Sequence, residues 1–361
     1  MRPWLFVPVW GLVTWFFYAP RRVNCPTDGV VVEYLPWNAG KRPVTRAMMG
    51  FLARRARRLS WRETARVFQT SWENVYQSVE WFVQWGLAHR DLTGITALGV
   101  EDLHWGQGAN RCLTVIYQID GHGRRLLWVG RKRTEAALRE GLAVLGAPVV
   151  GGVRYVSSDL WRPSLKVIAA RTSQALPVLD RFHITMPLNQ AVDQTRRAES
   201  ARLRTTAPAK ADPLKKMRGK LLRRGRRVRG RARRQRNALV RSKLATARAW
   251  MLKDTFQHCW DFKSVTWAGG FLKVWTERAL SSRIEPMCKV ARMLRSHEPL
   301  SLNCFRAKGE ISSGAVEGLN NKIRVVTRRS YGFRTIKAME IALYHTLGRL
   351  PEPNESAHKF C

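Results

Sequence analysis

Acidic residues are scarce in this chain: 26 Asp and Glu stand against 64 Lys and Arg in 361 residues, a formal net charge of +38. That imbalance excludes a basic partner and points to a polyanion. Paired cysteines are also missing. The six cysteines, at 25, 112, 259, 288, 304 and 361, form no Cys-x-x-Cys pair and no spacing of a zinc site or disulfide framework, which suits a reducing cytoplasm. Long apolar runs are lacking as well. Trp4–Ala19 comes nearest, but Pro8 interrupts it, it falls short of the ~20 residues a spanning helix needs, and no small-residue cleavage site follows. No membrane role is expected. There is no fixed-period repeat. What remains is 45% hydrophobic content, enough for packed cores in two or three domains.

Residues 1–43 are rich in Trp and Pro and read as short strands and turns. Residues 44–92 read as helical. Within them Ser60 and Glu63 have the spacing of a capping box, and Ser71 can cap a second helix in which Trp72, Val75, Val79 and Phe82 form one apolar stripe. Only Gln69 and Thr70 separate the segments Leu59–Phe68 and Ser71–Trp85, the pattern of a helix-turn-helix. A plain helical hairpin has the same pattern; the surrounding arginines, Arg62 and Arg66 among them, favour DNA.

From residue 93 the pattern alternates. Ala97–Val100, Leu113–Ile119 and Arg125–Gly130 read as three antiparallel strands. Thr134 caps a helix that Gly146 ends. Tyr155–Ser158 is a fourth strand, Pro163–Ala170 a helix opened by proline, and Ala175–Leu179 a fifth strand. The order β-β-β-α-β-α-β is that of an α/β ribonuclease-H-like core, with helices on the faces of a mixed sheet. This core is assigned to 93–198, a basic all-α insertion to 199–309, a helix region completing the core to 310–350, and a tail to 351–361. The insertion holds runs such as Arg223, Arg224, Arg226 and Arg227. These are either a solvated loop or a phosphate-binding surface whose affinity depends on salt.

Three elements place acids for phosphodiester chemistry. Glu101 and Asp102 follow the first strand, Asp159 follows the fourth, and Glu317 lies on a helix whose apolar stripe is Val316, Leu319, Ile323 and Val326. Carboxylates are the ligands that Mg²⁺ prefers, and two such ions can activate a nucleophile and stabilise a leaving oxygen. Acids at strand ends also serve as caps or surface residues.

Several stretches, taken together, resemble transposases of the ISL3 insertion-sequence family. They are Gly99–Gly108 (GVEDLHWGQG), Leu113–Arg133, Val156–Pro163 (VSSDLWRP), Asp180–His183 (DRFH) with Leu188-Asn189 and Ala191-Val192-Asp193, and Ser313–Phe333. Val316–Lys322 and Arg328–Phe333 are the most specific. The resemblance implies a DDE transposase that uses Mg²⁺ or Mn²⁺, as two ions, to cleave and join DNA. It implies Glu101, Asp159 and Glu317 as catalytic metal ligands. Asp102, Asp180, His183, Asn320 and Asn321 would support them, and Lys322, Arg324, Arg328 and Arg329 would contact DNA. The partners would be the terminal inverted repeats and target DNA, bound by a homo-oligomer in the bacterial cytoplasm at the nucleoid.

The chain departs from the family pattern twice. The family reads Asp-Glu where this chain has Glu101-Asp102, so a longer carboxylate occupies the first ligand position. Asp102 is not expected to replace it, because neighbouring strand residues face opposite ways. Residues 1–43 resemble a degenerate zinc ribbon, with Cys25-Pro26-Thr27-Asp28-Gly29 at its last knuckle, and no structural zinc is expected. The competing readings are a catalytically impaired, DNA-binding relic and an RNA-binding protein or ribonuclease on the same core.

Overall fold

The computed structural model describes residues 1–105, 112–121, 123–206, 214, 216–223, 230–307, 310–311 and 313–353. The N-terminal segment forms two antiparallel hairpins, β1 (Arg2–Val9) with β2 (Leu12–Tyr18) and β3 (Arg22–Cys25) with β4 (Gly29–Val32). The Cys25-Pro26-Thr27-Asp28-Gly29 stretch turns the second hairpin, and Cys25 Sγ lies 3.1 Å from Thr27 Oγ1.

Three helices follow: α1 (Arg46–Ala56), α2 (Trp61–Val67) and α3 (Trp72–Ala88). The capping box forms, with the Glu63 amide donating to Ser60 Oγ at 3.2 Å and the Ser60 amide to Glu63 Oε2 at 2.9 Å. Ser71 caps α3 through the Asn74 amide at 3.1 Å. Gln69 takes a left-handed φ of 49°, which turns the chain between the two helices within a few residues. Val75, Val79 and Phe82 of the stripe are buried, whereas Trp72 at its start is exposed, because it lies in the first turn beyond the packed part of α3. The same apolar cluster continues through one face of the central sheet into the C-terminal helices, so these three helices are packed into the core.

The central sheet has five strands in the order β7-β6-β5-β8-β9: β5 (Ala97–His104), β6 (Cys112–Gln118), β7 (Arg125–Arg131), β8 (Tyr155–Ser158) and β9 (Leu176–Leu179). β5 and β6 are antiparallel, as are β6 and β7, whereas β5, β8 and β9 run parallel. This mixed sheet with helices on its faces is compatible with a ribonuclease-H-like DDE core. β5 is longer than the sequence suggested, because its pairing with β6 continues to His104 opposite Cys112. Glu101 and Asp102 therefore lie within the strand.

Helices α4 (Glu135–Leu145), the short α5 (Ala147–Gly152) and α6 (Arg162–Arg171) cover one face. Leu98, Val100, Ile116 and Val156 meet Leu138, Leu142, Val167 and Ile168 there. Thr134 caps α4 through the Ala137 amide at 3.1 Å, and Gly146 ends it with φ of 87°.

Beyond β9, α7 (Arg181–Thr206) runs unbroken across residue 198, where the sequence placed the start of the insertion. Then come α8 (Arg218–Leu222), α9 (Gly230–Val240), α10 (Ala245–Phe256), α11 (Val265–Ser281), α12 (Glu285–Ser296) and α13 (Glu298–Arg306). They share an apolar core around Trp250, Phe256, Trp275 and Met287 that also takes in Leu179, Ile184 and Leu188. Asn303 Nδ2 donates to the Pro177 carbonyl at 2.7 Å, so α13 covers the edge of β9. Finally α14 (Ser313–Arg329) and α15 (Ile336–Leu347) return to the first face of the sheet. Val316, Leu319, Ile323 and Val326 of α14 are all buried. Among the described residues, no helix is long and apolar enough to cross a membrane.

Candidate metal centre

The parallel half of the sheet determines where the acids meet. Gly99, Ser157 and Val178 stand side by side in register on β5, β8 and β9. Glu101, Asp159 and Asp180 are each two residues further on. Three neighbouring strands thus each lead to an acid, but only Glu101 and Asp180 come together, with His183, among the described residues; Asp159 turns instead to Arg133. The acids stand at the carboxyl ends of parallel strands, where open α/β sheets form their ligand crevices.

α14 can approach this row because β5 has no side chain at Gly99. A Cβ there would lie 2.9 Å from Val316 Cγ2 and 3.2 Å from Ile119 Cγ2. One strand over, the Tyr117 hydroxyl donates to Asn320 Oδ1 at 2.8 Å. These two contacts hold the helix on the sheet, and Glu317, adjacent to Val316, is exposed. Its charge reaches Asp180, where it adds to the upward shift of that carboxyl.

Glu101 and Asp102 face opposite ways. Glu101 is buried, and its Oε1 lies 3.0 Å from His183 Nε2. Asp102 accepts from the Thr114 hydroxyl at 2.8 Å and from Arg133 Nε at 2.7 Å. Burial raises the Asp102 carboxyl above its usual range, and Thr114 and Arg133 only partly offset it.

Asp180 immediately precedes α7, and His183 lies in its first turn. Burial raises the Asp180 carboxyl against the pull of the Phe182 amide, which donates to its Oδ1 at 2.9 Å. Burial alone would lower His183, but the bond to Glu101 and the charges of Glu101, Asp180 and Asp159 outweigh it, and the imidazole lies above its ordinary value. Among the described residues, Glu101, Asp180 and His183 offer ligand atoms that all lie within 4.8 Å of one another. Two carboxylates, with two more acids in electrostatic reach, offer the oxygen donors that a hard divalent cation takes.

Asp159 is engaged differently. Its Oδ2 meets Arg133 NH2 at 2.6 Å and its Oδ1 accepts from the Trp161 amide at 3.0 Å. Arg133 thus bridges Asp102 and Asp159, and it lies over the Trp161 ring at 4.6 Å. Sequence reasoning missed this arginine, one of several basic residues after β7, because no local spacing marks which of them turns toward the acids. It placed Asp180 and His183 beside the site as supports; the structure brings both directly to Glu101.

The expected DNA contacts divide into groups. Arg62, Arg66, Arg223, Lys322, Arg324 and Arg328 are exposed. Arg329 is half-buried, and its NH1 donates to the Arg57 carbonyl at 2.6 Å. Asn321 accepts from Arg324 at 3.0 Å. Arg224, Arg226 and Arg227 lie outside the described residues.

Comparison with known proteins gives the family. A family model described as "Transposase", that of the ISL3 DDE transposases, matches residues 98–343. The chain is 25% identical to the transposase for insertion sequence element IS1001 of Bordetella parapertussis, over 87% of this chain and 76% of that protein. It is also 25% identical to the transposase for IS1557 of Mycobacterium tuberculosis, over 97% of this chain and 83% of that protein. The family match spans well over half of the sequence, from the first strand of the sheet to the last helix, and the chain belongs to the ISL3 family of DDE transposases.

Proposed function

We propose that this chain binds the ends of its insertion sequence as duplex DNA and cleaves and joins DNA strands at a divalent-metal centre held by Glu101, Asp159 and Glu317. The observation that carries this reading is that β5, β8 and β9 each lead to an acid, Glu101, Asp159 and Asp180, with Glu101 and Asp180 clustered beside His183 and Glu317 of α14 in electrostatic reach of Asp180. Asp180 and His183 fix the geometry: His183 holds Glu101 through its Nε2, and Asp180 accepts the amide that opens α7. A bound divalent ion supplies charge neutralisation at the phosphate and an activated oxygen nucleophile.

DNA would be held by the rest of the surface. α3 carries no Lys or Arg, and its outer face shows Trp72, Glu73, Gln77 and Gln84. In a helix-turn-helix reading it would contact base edges, while Arg62 and Arg66 of α2 meet the flanking phosphates. Arg223 and the basic run after it would add sequence-independent, salt-sensitive contacts. A homo-oligomer pairing two element ends completes the proposal.

A second reading, a DNA-binding relic of low activity, is favoured by one observation: Glu, not Asp, stands at the first position. Incubating the protein with duplexes that carry the element ends, in Mg²⁺, Mn²⁺ or chelator, separates the two. Metal-dependent nicking at the ends supports the enzyme; specific binding without nicking in either metal supports the relic.

A further inference from the structure

α7 begins at the acid row and then passes a cleft that the metal centre does not use. The cleft measures about 490 Å³ and is lined by Met186, Asn189, Gln190, Gln194 and Arg197 of α7 and by Arg218 of α8. That is room for one nucleotide and far too little for a duplex.

Its chemistry is specific. Gln190 and Gln194 are exposed one helical turn apart, and Asn189 Oδ1 is buried with no hydrogen-bond partner among the described residues. Asp193 is surrounded by Arg196 at 2.8 Å, Arg197 at 3.4 Å and Arg218 at 3.5 Å. Three guanidiniums around one carboxylate leave an excess of positive charge, and the Arg197 and Arg218 side chains are 65% and 66% exposed. A phosphate would meet that excess. A lone carboxylate would satisfy the arginines too, but it only accepts hydrogen bonds and would leave Asn189 Oδ1 unpaired. A base edge both donates and accepts, and side-chain amides match adenine best.

The cleft also lies on the face of α7 that carries His183. His183, Met186, Gln190 and Arg197 fall on one stripe of α7, and the exposed apolar side chains of Phe182 and Met186 lie at its start. From His183 to Gln190 is about 10 Å along the helix, no more than about three nucleotide steps even at the stacked spacing of ~3.4 Å.

We infer that this cleft receives an unstacked base of the DNA strand a few nucleotides from the phosphate at the acid row, with the amides on its edge and Arg197 and Arg218 on its phosphate. The inference rests on the DNA-cleaving function proposed above. Met186 packs against the base face, and the strand leaves the duplex beside Phe182. The pocket fixes which phosphodiester lies over the carboxylates.

Three labelled duplexes of one sequence test it by fluorescence anisotropy: fully paired, with one unpaired adenine, and with one unpaired abasic nucleotide. The wild-type chain is expected to bind the adenine duplex about tenfold more tightly than the other two. Gln190→Ala with Gln194→Ala changes exposed side chains and so leaves the fold intact; it should bring that ratio to about one. Equal binding of the adenine and abasic duplexes overturns the inference alone, because it reports flexibility and not base recognition, as does a ratio that survives the double substitution. A wild-type chain that binds none of the duplexes overturns the proposed function and the inference together.

Discussion

His183 Nε2 lies 3.0 Å from Glu101 Oε1, while the next residue on the strand, Asp102, points to the other face and binds Thr114 and Arg133. The two neighbouring acids therefore have separate partners and cannot exchange roles by rotating a side chain. Glu101→Asp with Asp102→Glu restores the family order and shortens the arm at the proposed metal centre by one methylene. Ångström-scale misplacement of reacting groups costs about 100-fold in rate, so the double variant should cleave end DNA faster by about 10- to 100-fold in single turnover, at unchanged DNA affinity. A wild-type chain that is already as fast in Mg²⁺ would show Glu101 to be a fully competent ligand.

Gly99→Ala tests the seat of α14. The added methyl would lie 2.9 Å from Val316 Cγ2, and the helix that carries Glu317 must move to admit it. Overpacking of this kind costs about 1–3 kcal/mol. Urea unfolding should show that loss, together with a cleavage defect larger than the loss of folded protein explains. An unchanged midpoint would mean that α14 does not sit tightly on β5.

Arg133 bridges Asp102 and Asp159, with its NH2 2.6 Å from Asp159 Oδ2. Its positive charge opposes a cation at the acid row. Arg133→Gln should tighten Mn²⁺ binding several-fold, read as the metal concentration that protects the chain from thermal unfolding. Weaker Mn²⁺ binding would mean instead that Arg133 is needed to hold Asp159 in place.

Much of this was legible in the sequence, and the reasons differ by element. Thr134, Ser60 and Ser71 announced three helix starts because a capping side chain acts within its own turn. The stripe Val316, Leu319, Ile323, Val326 announced the buried face of α14 because period alone sets which side faces the core. The end of β5 was misjudged, since pairing to His104 depends on a partner strand and not on local pattern. The Arg133 bridge was illegible for the same reason: it joins Asp102 on β5 to residues just beyond β7 and β8. Asp180 and His183 were visible as a motif, but their approach to Glu101 depends on the register of β5, β8 and β9, which no single segment encodes.

His345 provides a pH test of the core apart from the metal centre. It is buried, and burial, with Arg57 and Arg329 nearby, pushes its pKa down to about 3. The unfolded chain therefore takes up a proton near pH 6.5 that the folded chain refuses, and stability present above that pH is lost as pH falls toward 3. Between pH 7 and pH 5 the loss from this residue is about 2 kcal/mol. Denaturant unfolding of the wild type and of His345→Gln at both pH values isolates it: the variant should lose that much less. Equal losses would mean that His345 is protonated in the folded state.

The central claim is that carboxylates from separate elements form one metal-dependent cleavage centre that is distinct from the DNA-binding surface. The most direct measurement is single-turnover cleavage of end DNA in Mn²⁺, alongside duplex affinity, for the wild type, Asp159→Asn and Glu317→Gln. Both substitutions preserve shape and remove one charge. The account predicts that each lowers cleavage at least 100-fold and leaves the affinity within about twofold, because binding rests on the arginine-rich surface. Cleavage that survives either substitution, or affinity that falls in step with cleavage, would contradict it.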